Sequence, residues 1–272
     1  MTKPQDWIGQ CREVTDLMDP WAAQAMCRML ELERPEPGAG DPLPVFWHWL
    51  YFREAAARSA LGPDGHPAVG DFIPAVAQPR RMWAGGRLQI HGALPLGEPA
   101  TKRSTIADVA EKTGRSGEMT FVTVRHEISG VDGLAVTEEQ DIVYRHDPPP
   151  GTARDPKPAP VDEAHARDWS CDSTVLFRYS ALTYNGHKIH YDLTHAREVE
   201  GYPGLVVHGP LLAALLLELA GSIAPVTRFA FRATAPIFAD ETFTCCARSQ
   251  GEGLALWVRG ADGRLAMQAD SQ

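Results

Sequence analysis

At 272 residues, the chain has room for one large domain or two small ones, each with an adequate apolar core. A net charge of −9 argues against nucleic acid, whose phosphates need a basic surface. No apolar run is long enough to span a membrane, the longest being residues 211–217. The opening MTKPQDWIGQ has no secretory h-region, so a cytoplasmic protein with no membrane partner is expected. The cysteines, Cys11, Cys27, Cys171, Cys245 and Cys246, are odd in number and form no CxxC pair, which favours reduced, buried thiols.

In chain order, the pattern predicts a helical stretch near residues 45–60. Strands follow at 87–92, 103–112, 119–128 and 134–144, where Val, Ile, Thr and Phe partly alternate with polar residues. Residues 146–160, HDPPPGTARDPKPAP, hold six prolines and no apolar period, which predicts an extended linker. Beyond it come a strand ending near Thr183, a helix at 209–220 and strands at 227–235, 241–249, 254–258 and 265–269. Short turns at Val131-Asp132-Gly133 and Ala261-Asp262-Gly263 favour antiparallel hairpins. The repeated order of elements predicts an α+β chain in two similar parts, residues 1–146 and 161–272, joined by linker 147–160.

The helix at 209–220 is apolar nearly all round, with Glu218 its only charge, so it should be buried. Gly209 and Pro210 suit its start and Gly221 its stop. A buried helix start leaves backbone N–H groups that need an acceptor, and a ligand oxygen is one candidate. Ahead of it lies TYNGHKIHYD, a polar loop with His187 and His190. A histidine titrating near neutrality can both take and return a proton. His187, His190 and His208 also raise the question of a metal, but the loop lacks the helical HExxH spacing, so none is expected. GxSxG, GxGxxG and P-loop motifs are absent. Arg80, Arg81 and Arg87 around Met82-Trp83, and Lys112 with Arg115, are candidate contacts for a phosphorylated small molecule.

TYNGHKIHYD followed by GYPGLVVHGPL resembles the hydratase signature of the MaoC-like hot-dog hydratases and dehydratases. The likeness places the family aspartate at Asn185, its catalytic histidine at His190 and its oxyanion-hole glycine at Gly209. With GPDGHP, PRRMWAGGRL, KTGRSG and EEQDIVYR, the chain resembles the double hot-dog branch of itaconyl-CoA and 3-methylfumaryl-CoA hydratases and type 2 hydroxyacyl-thioester dehydratases. That resemblance implies a double hot-dog fold, two antiparallel sheets each around a central helix. The N-terminal unit would be non-catalytic and the C-terminal unit would carry the motif. It further implies a lyase that adds water to a short-chain enoyl-CoA and yields a citramalyl-CoA, with CoA entering only as part of the substrate. Asn185, His190 and Gly209 would be catalytic. Tyr184, His187, His208, Arg178, Arg232 and Arg115 are candidate substrate contacts, the arginines for a distal carboxylate or CoA phosphates. The expected partners are an acyl-CoA and a second copy of the chain in a homodimer. A 3-hydroxyacyl-thioester dehydratase of fatty-acid synthesis and a non-catalytic acyl-thioester-binding protein are the alternatives.

Overall fold

The structure, a computed structural model, describes residues 3–114, 117–146 and 156–272. Ten antiparallel strands form one sheet. The first half contributes β1 (Cys11–Leu17), β2 (Arg80–Ile90), β3 (Pro99–Gly114), β4 (Gly117–Gly130) and β5 (Gly133–Arg145). The second contributes β6 (His165–Ser170), β7 (Arg228–Ala233), β8 (Thr242–Gln250), β9 (Gly253–Arg259) and β10 (Leu265–Ser271). The order is β1-β3-β4-β5-β2-β7-β10-β9-β8-β6, so the halves meet at β2 and β7, where Gly85 faces Arg232 and Leu88 faces Phe229. Apart from the strand expected to end near Thr183, the predicted strands on both sides of the proline-rich segment are present, as are both hairpin turns.

The described residues form three α-helices, α1 (Pro20–Met29), α2 (Ser173–Thr183) and α3 (Gly209–Ile223), of which α1 and α2 pack against each other. α3 is the buried helix predicted from its composition; Leu211, Ala213, Leu215, Leu216 and Ala220 are completely covered, and it lies on β8, β9 and β10. Full burial of each leucine is worth about 1.5–3 kcal/mol. Gly221 lies inside its last turns, and does not end it.

Two predicted elements differ. Residues 45–60 form only short 3-10 turns, Trp47–Leu50 and Arg58–Ala60. Phe46 and Phe52 take left-handed backbone angles (φ 73° and 57°) on either side of the first turn, which stops helical propagation. The turn still fills the core, with Phe46, Trp47 and Leu50 buried. The segment ending at Thr183 is α2, not a strand: the Asp172 carboxylate accepts from the Val175 N–H at 2.8 Å and caps the helix. A single apolar core crosses from Phe46 and Leu88 to α3 and Phe229.

Most of the expected linker, residues 147–155, falls outside the described residues. Its end is docked: the Ala159 N–H donates to Gly263 O and the Trp257 indole N–H to Pro160 O. Among the described residues, no helix is long and apolar enough to cross a membrane. Cys27, Cys171, Cys245 and Cys246 are buried free thiols, whereas Cys11 is exposed.

Candidate active site

Two loops, one from each half, meet at the start of α3. In the second half, α2 ends at Tyr184, which takes a left-handed conformation, and the chain turns through Asn185 and Gly186. The Asn185 Oδ1 accepts from the His187 N–H at 3.0 Å, an Asx turn that sets the direction of the loop. The next turn, Lys188–His190, brings His190 under the start of α3.

His190 is almost covered, and its Nδ1–H donates to the Val206 carbonyl at 2.7 Å. A carbonyl can only accept, so this bond fixes the tautomer and leaves a lone pair on Nε2. Nothing among the described residues bonds to that nitrogen. Burial pushes the imidazole down to about 4, against the opposing pull of the Val206 bond. At neutral pH His190 is therefore an uncharged proton acceptor.

His208, the residue that caps α3, stacks against His190 with ring centres 3.6 Å apart and planes 18° apart. It shares a 2.9 Å hydrogen bond with Ser180 Oγ of α2, and burial holds it well below its ordinary pKa. His208 is fully buried, so it supports the His190 ring and does not reach a ligand, contrary to the expected substrate contact.

At the head of α3, Pro210 supplies no N–H, and no described acceptor reaches the Gly209 N–H. A Cβ on Gly209 would sit 2.8 Å from the Trp83 ring, so the helix start is pressed against an indole of the first half. Trp83 is in turn held by Trp49 and Phe231, at centroid distances of 5.3 and 4.6 Å. The result is an apolar wall beside an N–H donor with no partner, an arrangement suited to an oxygen that gains negative charge.

The first half adds Asp64, Gly65 and His66, part of the GPDGHP phrase, for which the resemblance implied no role in the site. Gly65, at φ +92°, approaches Gly186 so closely that a Cβ would lie 2.1 Å from its carbonyl oxygen. Only glycine fits there, and the Lys188 N–H donates to Asp64 O at 2.9 Å across the same contact. This docking puts the His66 ring 4.4 Å from that of His187, which lies 5.6 Å from His190. The row of imidazoles runs His66, His187, His190, His208. Asp64 Oδ2 accepts from His66 Nδ1 at 3.1 Å. Burial works against the Asp64 carboxylate, but the His66 side chain and backbone N–H outweigh it and keep it ionised. Burial likewise pushes His66 and His187 down, and both are neutral at pH 7.

Three arginines were expected at the substrate. Arg178 is exposed on α2 and lines a cavity of about 360 Å³ between α1 and α2. Arg232 is exposed on β7, on the opposite side from the core-facing Phe231. Both sit on exposed faces of their elements, away from the buried core. Arg115 falls outside the described residues. The cation that does approach is half-buried Arg81, whose charge weighs on both His66 and His187. Among the other basic candidates, Arg87 is bound by Glu139 and Asp141, Arg80 pairs with Glu200, and exposed Lys112 lies over Phe121. Tyr184 is exposed and borders a separate cavity of about 220 Å³ with His48, Lys102, His126 and Glu138.

A base with a fixed tautomer beside a free N–H donor suits addition of water across a polarised double bond, and the comparisons agree. The family described as hydroxyacyl-thioester dehydratase type 2 matches residues 46–239. The chain is 46% identical over 268 residues to the mesaconyl-C(4)-CoA hydratase of Chloroflexus aurantiacus, covering 97% of this chain and 95% of the relative. It is 27% identical to the mitochondrial hydroxyacyl-thioester dehydratase type 2 of Schizosaccharomyces pombe, over 78% of this chain and 79% of that one. A MaoC-like dehydratase structure from Phytophthora capsici superposes with a TM-score of 0.73 at 12% identity, covering 98% and 96% of the two chains. A Mycobacterium tuberculosis protein described as a double hotdog superposes at 0.58 with 15% identity, covering 97% and 95%. The fold is thus the double hot-dog expected from the sequence, and the chain belongs to the type 2 hydroxyacyl-thioester dehydratases, MaoC-like carbon–oxygen lyases that add or remove water.

Proposed function

We propose that the protein hydrates a short, branched enoyl-CoA bearing a distal carboxylate, with 3-methylfumaryl-CoA as the substrate and a citramalyl-CoA as the product. The observation that carries this reading is His190, its Nδ1–H tied to Val206 and its Nε2 open, next to the unpartnered Gly209 N–H. In this reading His190 Nε2 takes a proton from water as the oxygen attacks the β-carbon. The displaced π electrons collect on the thioester oxygen, which faces Gly209 and the positive end of α3. One such donor contributes about 3 kcal/mol to the transition state. The imidazolium then returns its proton to the α-carbon, leaving His190 neutral again.

3-Methylfumaryl-CoA is mesaconate with its thioester at C4, the substrate named in the relative from Chloroflexus aurantiacus. Its double bond is conjugated to the thioester, so charge develops where Gly209 stands; an itaconyl thioester formed at C4 lacks that conjugation. Arg81 is the cation we assign to the free carboxylate, replacing Arg178 and Arg232. Asn185 uses its oxygen in the Asx turn and keeps its NH2 to offer a ligand. His187 lies between His66 and His190 and contacts the acyl group. The N-terminal unit contributes Trp83 to the groove wall. The reaction needs only proton transfer and hydrogen-bond donors, so we assign it no metal or redox cofactor.

The test is a panel of enoyl-CoA thioesters with and without the distal carboxylate, scored by kcat/KM. The proposal expects 3-methylfumaryl-CoA to lead crotonyl-CoA by at least ~100-fold, the scale set by leaving the half-buried Arg81 cation without its carboxylate. Equal rates would refute the carboxylate assignment, and no turnover of any member would refute the hydratase reading.

A further inference from the structure

The carboxylate that the hydratase signature carries at the position of Asn185 is missing from the second half. The first half delivers a different carboxylate to the same loop. Asp64 and His66 sit on a turn whose Gly65 touches Gly186, and the Asp64 carbonyl accepts from Lys188 N–H. We propose that His66, oriented by Asp64, is a second catalytic residue of this site and holds the attacking water together with His190. The inference rests on the hydratase reading above.

The tautomer argument applied to His190 applies again here. A carboxylate accepts only, so the 3.1 Å contact puts the His66 proton on Nδ1 and leaves Nε2 as an acceptor. No described group bonds to that Nε2. Two neutral imidazoles, each with its donor side fixed, thus flank His187. Water has two hydrogens to give; donated to His190 and His66, they leave an oxygen lone pair directed at the β-carbon. As the O–C bond forms, one hydrogen passes to an imidazole and the π electrons move to the thioester oxygen. That proton then goes to the α-carbon. One water is added and both rings end neutral, so no further reactant is required.

Asp64 is a positioning residue: it fixes the ring, and its hydrogen bond supports the basicity of His66 against burial and the Arg81 charge. The groups facing this pair are Arg81 on β2, Tyr144 on β5, and His187, His190 and Tyr191 from the second half. Ligand atoms of Asp64, His66 and His187 lie within 4.8 Å of one another, which also invites a metal. The direct bond between Asp64 and His66 Nδ1 already satisfies that pair without one.

The experiment compares the full-length parent with His66→Ala, Asp64→Asn and His190→Ala on 3-methylfumaryl-CoA. His66→Ala should lose on the order of 100-fold in kcat with KM within about threefold, and free imidazole should restore part of the rate. Asp64→Asn preserves shape and should move the acid limb of kcat/KM down by roughly one pH unit. A His66→Ala enzyme within about threefold of the parent, while His190→Ala is dead, overturns this inference and leaves the hydratase reading intact. A loss that imidazole does not relieve, together with an unmoved acid limb in Asp64→Asn, marks a structural role and also overturns it. So does stoichiometric bound metal whose chelation abolishes activity. A parent that hydrates no enoyl-CoA overturns both readings.

Discussion

Adding one methyl group to Gly209 tests the geometry at the head of α3. The new Cβ would stand 2.8 Å from Trp83 Cε3, whereas ordinary contact begins at 3.4 Å. The indole or the helix start must therefore yield by about 0.6 Å, the difference between those distances. Trp83 has little room to retreat, because Trp49 and Phe231 stand against it. If the ring is forced, overpacking costs about 1–3 kcal/mol, or a Tm lower by roughly 2–10 °C for a chain of this size. If the helix start moves instead, the Gly209 N–H is misaligned, and losing such a donor costs on the order of 100-fold in kcat. Steady-state hydration and thermal melting of Gly209→Ala measure both terms, and Gly209→Val should be worse in each. Adding Trp83→Leu to Gly209→Ala should recover part of the lost stability by making space. A Gly209→Ala protein with parental kcat and Tm would refute both the close contact and the donor role.

Asn185→Asp keeps the acceptor of the Asx turn and adds a carboxylate beside the imidazoles. It should favour imidazolium and move the acid limb of kcat/KM to higher pH; an unchanged limb would show that the new charge is not felt at the base. Stability should fall as pH drops. Burial pushes both His126 and His190 down to about 4, so between about pH 6.5 and 4 the unfolded chain binds protons that the native state does not. Thermal melts across that window should show a falling Tm, and a flat profile would contradict burial of both rings as neutral groups. Dialysis against a strong chelator should leave turnover and Tm unchanged; activity lost with released zinc and regained on its return would replace the imidazole mechanism with metal-activated water.

Local signals in the sequence were read well where one element decided the outcome. The apolar circumference of α3, the alternating strands and the Gly-Pro helix start needed no tertiary information. α2 resembles a strand in sequence because Val175, Phe177 and Tyr179 carry strand propensity. The Asp172 cap was the available sign of a helix. Residues 45–60 misled for a different reason: the aromatic run is buried by tertiary packing, and two left-handed phenylalanines divide it. His190 was legible through its spacing from Gly209. Asp64, His66 and Trp83 lie in the phrases GPDGHP and PRRMWAGGRL, but their place in the site depends on contacts between halves far apart in sequence. The Asp-Gly-His turn and the facing Gly186 hinted at a tight turn, but nothing local could show that the two turns meet. Arg178 and Arg232 offer the right residue type on strand-like segments, but which face of an element a charge occupies is settled only by packing.

The most direct measurement follows the loss of enoyl-thioester absorbance on 3-methylfumaryl-CoA, with the product identified by its mass gain of one water, for the parent and His190→Ala. The parent should form citramalyl-CoA, and His190→Ala should retain substrate affinity while losing at least ~100-fold in kcat, because only proton transfer is removed. A His190→Ala enzyme that keeps more than about half of the parental kcat would place the base elsewhere, with His187 the next group to test.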